Sequence, residues 1–434
     1  MKKFVLIHCY SDYNKGDAGI IVSTVQNLRK HYPDCQVDMI STYSNKDPYF
    51  IKQHTEIKKY ADNLHPSLFP ELFLNIGGKR RSNSFTKILA MLFFSTKAML
   101  NYFSVKIAGF PLFVNKQERA AFDAVKNADV VISKGGSFLC SFGTFREDFS
   151  LARMCYPFLV AKAYKKDTVI LAQSLGPFDS CLSRNIFNIS LRAIDKVFFR
   201  EKKTITLIRN QGVAVPSNKI EFCPDVAFAI DASLGKAIVE VDNNKFNVGV
   251  TVVDFPFETS SQRQNYINSI NSAIEYFVVE LSATVFIFPQ VVNVTQFGNE
   301  DMKIAEEIYS QLCATAKQSV SLVQGSFQSI DLVKTYSLMN FFLATRLHSS
   351  IFSVSQNVPI VNVSYHGTKS EGTFELFDYL DYVISITEIT PEILLNKCKS
   401  AVAELEQIRK FLESKNVEIR NQIDRAFRMI SDEE

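Results

Sequence analysis

ADVVISKGGS, residues 128–137, is an apolar run that stops at a pair of glycines. The run Asp129–Ser133 predicts a short buried strand, and Gly135-Gly136 predict a sharp turn at its end. Helices are predicted on both sides, over Lys116–Asn127 and Leu151–Lys165. Because parallel strands are joined by crossover helices, this pattern favours an α/β sheet that is covered on both faces.

The same alternation of short apolar strands and helices continues through both halves of the chain. Further strands are predicted at Phe4–Cys9, Val37–Ser41, Thr168–Ala172, Lys196–Phe199, Phe246–Val253 and Thr284–Pro289. Further helices are predicted at Ala18–His31, Ser183–Ile194, Glu201–Gln211, Gln262–Leu281, Asp301–Ala316 and Ser329–Ser337. We therefore predict an α/β fold with two Rossmann-like, doubly wound parallel-sheet domains that face each other across a cleft.

The length of the chain also favours two domains, because 434 residues exceed one ordinary core. The expected limits are 1–235 for an N-terminal domain with an insertion at about 50–115, 236–390 for a second domain, and 391–434 for C-terminal helices. The polar segment Asp231–Asn244 is the expected linker. The first ten residues predict a buried strand rather than a signal peptide, since the apolar run before His8 is only four residues long.

Composition narrows the class of protein. Hydrophobic residues make up 47% of the chain and charged residues 21%, as in a globular protein. The formal net charge of +3 argues against a nucleic-acid partner. The eight cysteines are scattered without a C-x-x-C pair, so neither a disulfide framework nor a zinc site is predicted. Such cysteines fit a reducing compartment, and we expect the cytoplasm.

Four of the predicted strands end in loops of similar character. These loops are Tyr13–Asp17, Ser133–Ser137, Gln173–Phe178 and Arg200-Glu201. Ligands of parallel α/β sheets bind beyond the carboxyl ends of the strands, and glycine lets backbone N–H groups approach an anion. Gly135, Gly136 and Gly176, together with Ser174, are therefore candidate anion-binding residues.

The segment Ala344–Gly372 places Arg346 and His348 two residues apart, directly after the apolar run Asn340–Leu343. In an extended turn at a strand end, residues two apart point to the same side. A fixed cation would then lie beside a group that exchanges protons near neutral pH, which suits an anionic substrate. Lys369 ends the strand-like unit that follows, and it either approaches a phosphate or is a solvated loop charge.

Other polar residues have two open interpretations. Asn14 and Asp17 could line the cleft, although capping of the first helix by Asp17 explains that residue equally well. His366 and Asp225 are favoured as turn residues.

The insertion contains a long apolar stretch, residues 84–114, which follows Lys79-Arg80-Arg81. Because Lys87, Lys97 and Lys106 interrupt it, no stretch reaches the roughly 18 uncharged apolar residues of a transmembrane helix. A basic cluster ahead of such a stretch can rest in a membrane interface, here at the inner face of the membrane. The favoured interpretation is a helical insertion packed on its domain.

In order along the chain, these motifs resemble the polysaccharide pyruvyl transferase family. The matching pieces are NKGDAGI, ADVVISKGGSFL, QSLGPF, FFREKKT, FCPDVAFAI and TRLHSS…NVPIVNVSYHGTKSEG, which lie between Asn14 and Gly372. Two departures are visible. Ala172 stands where the family often has glycine, and Ser137 replaces a third glycine after Gly136.

The resemblance implies a fold like that of GT-B glycosyltransferases and transfer of the pyruvyl group of phosphoenolpyruvate to sugar hydroxyls, which forms a pyruvate ketal. Phosphoenolpyruvate is then a co-substrate, and neither a cofactor nor a metal is required. The acceptor would be a glycan of a surface or cell-wall polysaccharide, either free or lipid-linked.

The RLH motif of the family maps onto residues 346–348. It implies that His348 is the general acid/base and that Arg346 clamps the donor. Arg200 would be a second clamp on the looser REK match. The other expected donor-binding residues are Gly135, Gly136, Ser174, Gly176 and Lys369. The expected acceptor-binding residues are Asn14 and Asp17.

Two other functions stay open. One is a GT-B glycosyltransferase that uses a nucleotide sugar, with the glycine loops on a diphosphate and Glu371 on a ribose. The other is an inactive sugar-binding relative, which the retained Arg346 and His348 pair disfavours. Trapping of phosphoenolpyruvate or of a nucleotide sugar separates the two transferases.

Overall fold

The structure is a computed structural model that describes residues 1–47, 49–69, 84–291, 301–325, 327–365 and 368–431, with the backbone alone at residues 49, 84–87, 368 and 369. The basic cluster Lys79-Arg80-Arg81 and His366 lie outside the described residues.

The described residues form two parallel sheets. In chain order the strands are β1 Lys3–Cys9, β2 Gln36–Ser41, β3 Asn63–His65, β4 Val130–Ser133, β5 Asp167–Gln173, β6 Lys196–Phe199, β7 Ile220–Phe222, β8 Asn247–Val250, β9 Thr284–Ile287, β10 Val320–Leu322, β11 Phe341–Ala344, β12 Ile360–Ser364 and β13 Val383–Ser385.

Helices follow most of these strands. In chain order they are α1 Lys15–His31, α2 Tyr49–Lys52, α3 Ser84–Ala108, α4 Lys116–Asn127, α5 Phe145–Ala163, α6 Cys181–Leu191, α7 Lys202–Asn210, α8 Ser260–Leu281, α9 Asp301–Gln311, α10 Ala314–Lys317, α11 Ser329–Tyr336, α12 Leu347–Ser355, α13 Thr368–Glu375, α14 Pro391–Ala403 and α15 Leu405–Arg428.

The strand order of each sheet is that of a Rossmann-like fold. The first sheet runs β3-β2-β1-β4-β5-β6-β7 and the second β10-β9-β8-β11-β12-β13. All neighbouring strands in both sheets are parallel. The order reverses between β1 and β4 and again between β8 and β11, and ligands of such sheets bind at these switch points. The prediction of two doubly wound parallel sheets is confirmed.

The central strands are buried along their whole length. Every residue of β4, β8, β11 and β12 is buried. Because both faces of these strands are covered, β4 (VVIS) and β11 (FFLA) are almost continuous apolar runs, whereas β8 (NVGV) and β12 (IVNVS) also contain buried asparagines. This burial explains why short runs such as VVIS and FFLA predicted strands correctly.

Contacts divide the chain into two compact units. The first comprises Met1–Asp12, Ile20–Val226 and Ile423–Glu434, and the second comprises Tyr13–Gly19 and Ala227–Gln422. The first sheet lies in the first unit and the second sheet in the second. The start of α1 belongs to the second unit, although it follows β1 closely in the sequence.

The prediction that Asp17 caps the first helix is wrong. The helix begins earlier, at Lys15, and Asn14 precedes it. The side-chain oxygen of Asn14 accepts hydrogen bonds from the backbone N–H groups of Gly16 at 3.1 Å and of Asp17 at 3.4 Å. Asn14 therefore fills the capping role, because a cap accepts from the second and third N–H groups of its helix.

The extended turn predicted around Arg346 and His348 is also wrong. Arg346 is the N-cap of α12, and His348 lies in the first turn of that helix. Lys369 and Glu371 likewise lie in a helix, α13, rather than at the end of a strand. Successive helical residues are rotated by about 100°, so residues two apart do not face each other.

The insertion contains the 25-residue helix α3. By length and composition alone, its segment Ile88–Ala108 is the one helix in the described ranges that could cross a membrane. Lys97 and Lys106 lie within this segment, so it is not an uncharged apolar run of about 18 residues.

Candidate active site

The switch point of the second sheet holds the start of α12 in place. The backbone N–H of Thr345 donates to the Thr251 hydroxyl at 3.1 Å, and the Thr345 hydroxyl donates to the Thr251 carbonyl at 2.8 Å. The hydroxyls of Thr251 and Ser349 lie 2.7 Å apart. These bonds join the ends of β8 and β11 to the first turn of α12, which fixes the backbone of Arg346 and His348.

Arg346 is held by two neighbouring side chains. Its Nη2 pairs with Asp301, and its Nη1 donates to the hydroxyl of Tyr365 at 3.1 Å. The Arg346 side chain is 12% exposed and that of Asp301 is fully buried. Burial opposes the charge of Arg346, but the carboxylate of Asp301 and the Tyr365 hydroxyl outweigh burial and raise the pKa of the guanidinium.

The guanidinium of Arg346 retains hydrogen-bonding capacity. Arginine has five N–H donors, and the contacts with Asp301 and Tyr365 use two of them. Its Nε is buried without a hydrogen-bond partner among the described residues. Because a buried donor without a partner is costly, this nitrogen is a candidate contact for an anionic ligand.

His348 packs against the start of α1. A Cβ atom added to Gly16 would lie 2.3 Å from Nδ1 of His348, closer than any real contact. One turn later, a Cβ on Gly19 would lie 2.5 Å from the ring of Phe352. Glycine at both positions therefore allows the two helices to approach closely, and the imidazole lies directly over the α1 backbone.

Asp301 links the arginine to this glycine turn. Its second carboxylate oxygen accepts backbone N–H groups of Gln290 and Val291, both at 2.9 Å. The carbonyl of Gln290 in turn accepts the N–H of Lys15 at 3.1 Å. The predicted acceptor residues Asn14 and Asp17 lie in the same turn, where the Asn14 amide donates to Asp17 at 2.7 Å. The second unit thus brings together Arg346, His348, Asn14 and Asp17.

The first unit gathers a second set of predicted residues. Arg200 follows β6 and is 2% exposed. Its Nη1 donates to Asp225 at 2.7 Å, its Nη2 to the Ser174 hydroxyl at 2.6 Å, and its Nε to Glu201 at 3.4 Å. Burial would lower the pKa of this guanidinium, but the two carboxylates raise it. Asp225, which the sequence favoured as a turn residue, is instead a buried ion-pair partner.

The predicted glycines shape the loops beside this ion-pair network. Gly136 has φ +139°, and its carbonyl accepts the N–H of Ser174 at 2.9 Å. Gly176 has φ +78°, and its N–H donates to the Leu139 carbonyl at 2.9 Å. A Cβ on Gly135 would lie 3.0 Å from the Ala172 carbonyl oxygen. Backbone hydrogen bonds hold the two loops close together, and glycine is needed because it leaves room for this approach and adopts positive φ.

Several residues of these two clusters were not predicted from the sequence. Asp301 lies in no quoted motif, and Tyr365 lies in the NVPIVNVSYHGTKSEG piece without having been assigned a role; only their contacts with Arg346 reveal them. Gln173 is fully buried, and both of its amide atoms are without hydrogen bonds among the described residues. Its position directly before Ser174 was the available signal, and its buried amide makes it a further candidate ligand contact.

Lys369, the last of the predicted donor residues, follows β12 in the chain. Its backbone lies in α13, and its side chain is outside the described part of the chain. In the described ranges, no three histidine, cysteine, aspartate or glutamate side chains form a group that could hold a metal ion.

Two Rossmann-like units with these strand orders define the fold shared by GT-B glycosyltransferases and UDP-GlcNAc 2-epimerases. The UDP-GlcNAc 2-epimerase from Neisseria meningitidis, solved with UDP-GlcNAc bound, has a TM-score of 0.57 at 11% identity and covers 99% of both chains. A glycosyltransferase from Rickettsia africae has a TM-score of 0.52 at 10% identity and covers 100% of both chains. At this identity the likeness shows the fold alone.

Within that fold class, the sequence identifies the family. Residues 14–367 match the polysaccharide pyruvyl transferase family, and the chain belongs to it. It is also 22% identical over 423 residues to the amylovoran biosynthesis protein AmsJ of Erwinia amylovora, with 94% of each chain covered. The predicted family, and with it a pyruvyl transferase enzyme, is confirmed.

Proposed function

We propose that this protein transfers the pyruvyl group of phosphoenolpyruvate to two hydroxyls of a sugar in a polysaccharide precursor and forms a pyruvate ketal. The family match over residues 14–367 carries this proposal. The name of the relative from Erwinia amylovora supports a role in polysaccharide biosynthesis.

Arg346 is the better equipped of the two predicted donor clamps. Phosphoenolpyruvate carries a carboxylate and a phosphate, which planar guanidinium groups bind through paired N–H donors. Arg346 has N–H donors, including Nε–H, that make no hydrogen bond among the described residues. Each of the three guanidinium nitrogens of Arg200, by contrast, already donates a hydrogen bond. In our proposal Arg346 contacts the donor, and Arg200 orders the loop that carries Ser174.

His348 supplies the proton in this scheme. Its imidazolium protonates the methylene carbon of the donor, and positive charge develops at the carbon that bears the phosphate oxygen. A sugar hydroxyl adds to that carbon and returns its proton to the imidazole. A second hydroxyl then displaces phosphate, and the departing phosphate takes up the proton of that hydroxyl, which leaves a ketal and inorganic hydrogen phosphate. Gly16 positions the ring for these transfers because only a residue without a side chain fits beneath it.

The remaining predicted residues take supporting roles. Asn14 and Asp17 lie in the same turn as Gly16, so their polar atoms are candidates for orienting the acceptor sugar. The N–H groups of Gly136, Ser174 and Gly176 already donate to carbonyls within their own loops, so these residues and Gly135 are proposed to shape the loops beside the donor rather than to bind its phosphate directly. Lys369 is proposed to approach the donor phosphate.

Donor choice tests the proposal. Thermal unfolding is measured with phosphoenolpyruvate and, separately, with UDP and UDP-sugars. A ligand at one hundred times its Kd stabilises the folded protein by about 2.7 kcal/mol. We expect this stabilisation with phosphoenolpyruvate and its loss in Arg346→Ala. Stabilisation by the nucleotide ligands alone would favour a nucleotide-sugar glycosyltransferase instead.

A further inference from the structure

Helix α3 is apolar on two opposite faces. One face packs on the first unit, where Ala98, Asn101 and Val105 are buried. The other face carries large exposed side chains, which include Ile88, Leu92, Phe93, Met99, Phe103 and Ile107. At about 100° per residue these positions fall within one continuous stripe along the helix. The exposed residues Phe110, Leu112 and Phe113 extend the stripe beyond the helix.

The apolar side chains of this face are strongly exposed. Leu92 is 60% exposed, Phe93 65% and Ile107 84%. Single exposed apolar residues are common, but a contiguous apolar patch marks an interaction surface. The face therefore needs an occupant of apolar character.

The charge of the same region identifies that occupant. Between Ile88 and Gln117 the sequence contains three basic residues and no acidic one, whereas the whole chain has 45 acidic residues in 434. Lys97 is neutralised by Glu118 at 2.9 Å. Lys106 and Lys116 are exposed. A surface that is both apolar and cationic complements an anionic lipid bilayer.

Two other occupants fit the region less well. A second copy in a two-fold interface would place this basic face against itself, and like charges would repel. A helix that crosses the bilayer would have to leave the unit. Its packed face is held there by the Tyr156 hydroxyl on the Ala98 carbonyl at 2.9 Å and by the hydrogen bond from the Phe113 N–H to Asn101 at 2.8 Å.

We infer that α3 lies in the plane of an anionic membrane interface, with its exposed face in the headgroup and acyl boundary. The polar contacts of Asn101 and Tyr156 keep the opposite face on the protein. This inference does not depend on the donor chemistry, and it goes beyond the proposed function by assigning a lipid surface as a partner.

Vesicle flotation of the full chain tests the inference. The vesicles contain phosphatidylcholine with or without phosphatidylglycerol. We expect flotation with the anionic vesicles only, and weaker flotation as salt is raised. The combined change Leu92→Ser, Phe93→Ser and Ile107→Ser should reduce binding at least tenfold. The control pair Leu182→Ser and Ile189→Ser, also exposed and apolar but on α6, should leave binding unchanged.

Two single lysine variants provide a second test that removes one positive charge at a time. Each of Lys106→Gln and Lys116→Gln should weaken binding by about fivefold, the equivalent of about 1 kcal/mol per basic residue near an anionic surface. Failure of the parent protein to float would overturn the inference. So would flotation that resists alkaline carbonate, which indicates a spanning helix, or a dimer that the triple change dissociates, which indicates a second copy.

Discussion

The imidazole of His348 lies over Gly16, where a Cβ atom would come within 2.3 Å of Nδ1. The two residues are far apart in sequence, yet both belong to the second unit, because Tyr13–Gly19 packs with Ala227–Gln422. Gly16, in the NKGDAGI motif, thus sets the position of His348, in the TRLHSS motif.

Gly16→Ala should displace the His348 ring and lower turnover, while the helix itself gains propensity. We expect a fall in kcat of about tenfold or more, since small misplacements of a catalytic group are costly. The control is the double variant with His348→Asn. If Gly16 acts through His348, adding Gly16→Ala to His348→Asn should change kcat little. Fully additive losses would contradict this positioning role.

Arg346→Lys keeps the charge but loses the planar fork and the Nε–H donor. Binding of phosphoenolpyruvate should weaken by about 1.5 to 3 kcal/mol, or roughly 10- to 150-fold in Kd. Titration calorimetry with the donor measures this change. A variant that binds the donor normally and loses only acceptor affinity would remove Arg346 from the donor site.

Arg200→Ala should act mainly on stability, because it leaves Asp225 and Glu201 buried without their cation. We expect a loss of about 3 to 5 kcal/mol in the free energy of unfolding. Urea unfolding measures this loss, and Lys202→Ala at an exposed position on α7 is the matched control. Normal stability together with weak donor binding would instead support Arg200 as a direct donor clamp, the role implied by the sequence.

Ala172→Gly should stabilise the protein. Ala172 has φ +43°, a left-handed conformation that costs an alanine about 1 to 2 kcal/mol and a glycine almost nothing. The greater entropy of the unfolded glycine variant and the loss of a buried methyl group offset part of this gain, so we expect a net gain of up to about 0.5 kcal/mol. Ala161→Gly, inside α5, should have the opposite sign. Destabilisation by Ala172→Gly would show that the turn is not strained.

Ala172, where the family often has glycine, is a position that the sequence singled out and the structure explains. The resemblance marked it as a place where glycine is common, and the positive φ gives the physical reason. Central strands such as β1, β4 and β5 were predicted well because burial on both faces favours nearly continuous apolar runs. The edge strands β3, β7, β10 and β13 were missed, since each has only three residues and little apolar signal.

The residues of the site were predicted better than their geometry. Arg346 and His348 were predicted as site residues, but they lie at the start of a helix rather than in the extended turn that the sequence favoured. The contacts of Asp301 and Tyr365 with Arg346 could not be predicted, because long-range contacts carry no local pattern. The ion pair between Arg200 and Asp225 could not be predicted for the same reason, because the two residues are 25 positions apart in sequence.

The most direct test of the account is phosphate release from phosphoenolpyruvate by the purified protein, with a panel of oligosaccharide acceptors. We predict release that requires both substrates, and a rate that falls by about 10² to 10⁴ in His348→Asn while thermal unfolding stays unchanged. A correctly folded His348→Asn variant with the parent rate would contradict the account. So would glycosyl transfer from a nucleotide sugar with no phosphate release from phosphoenolpyruvate.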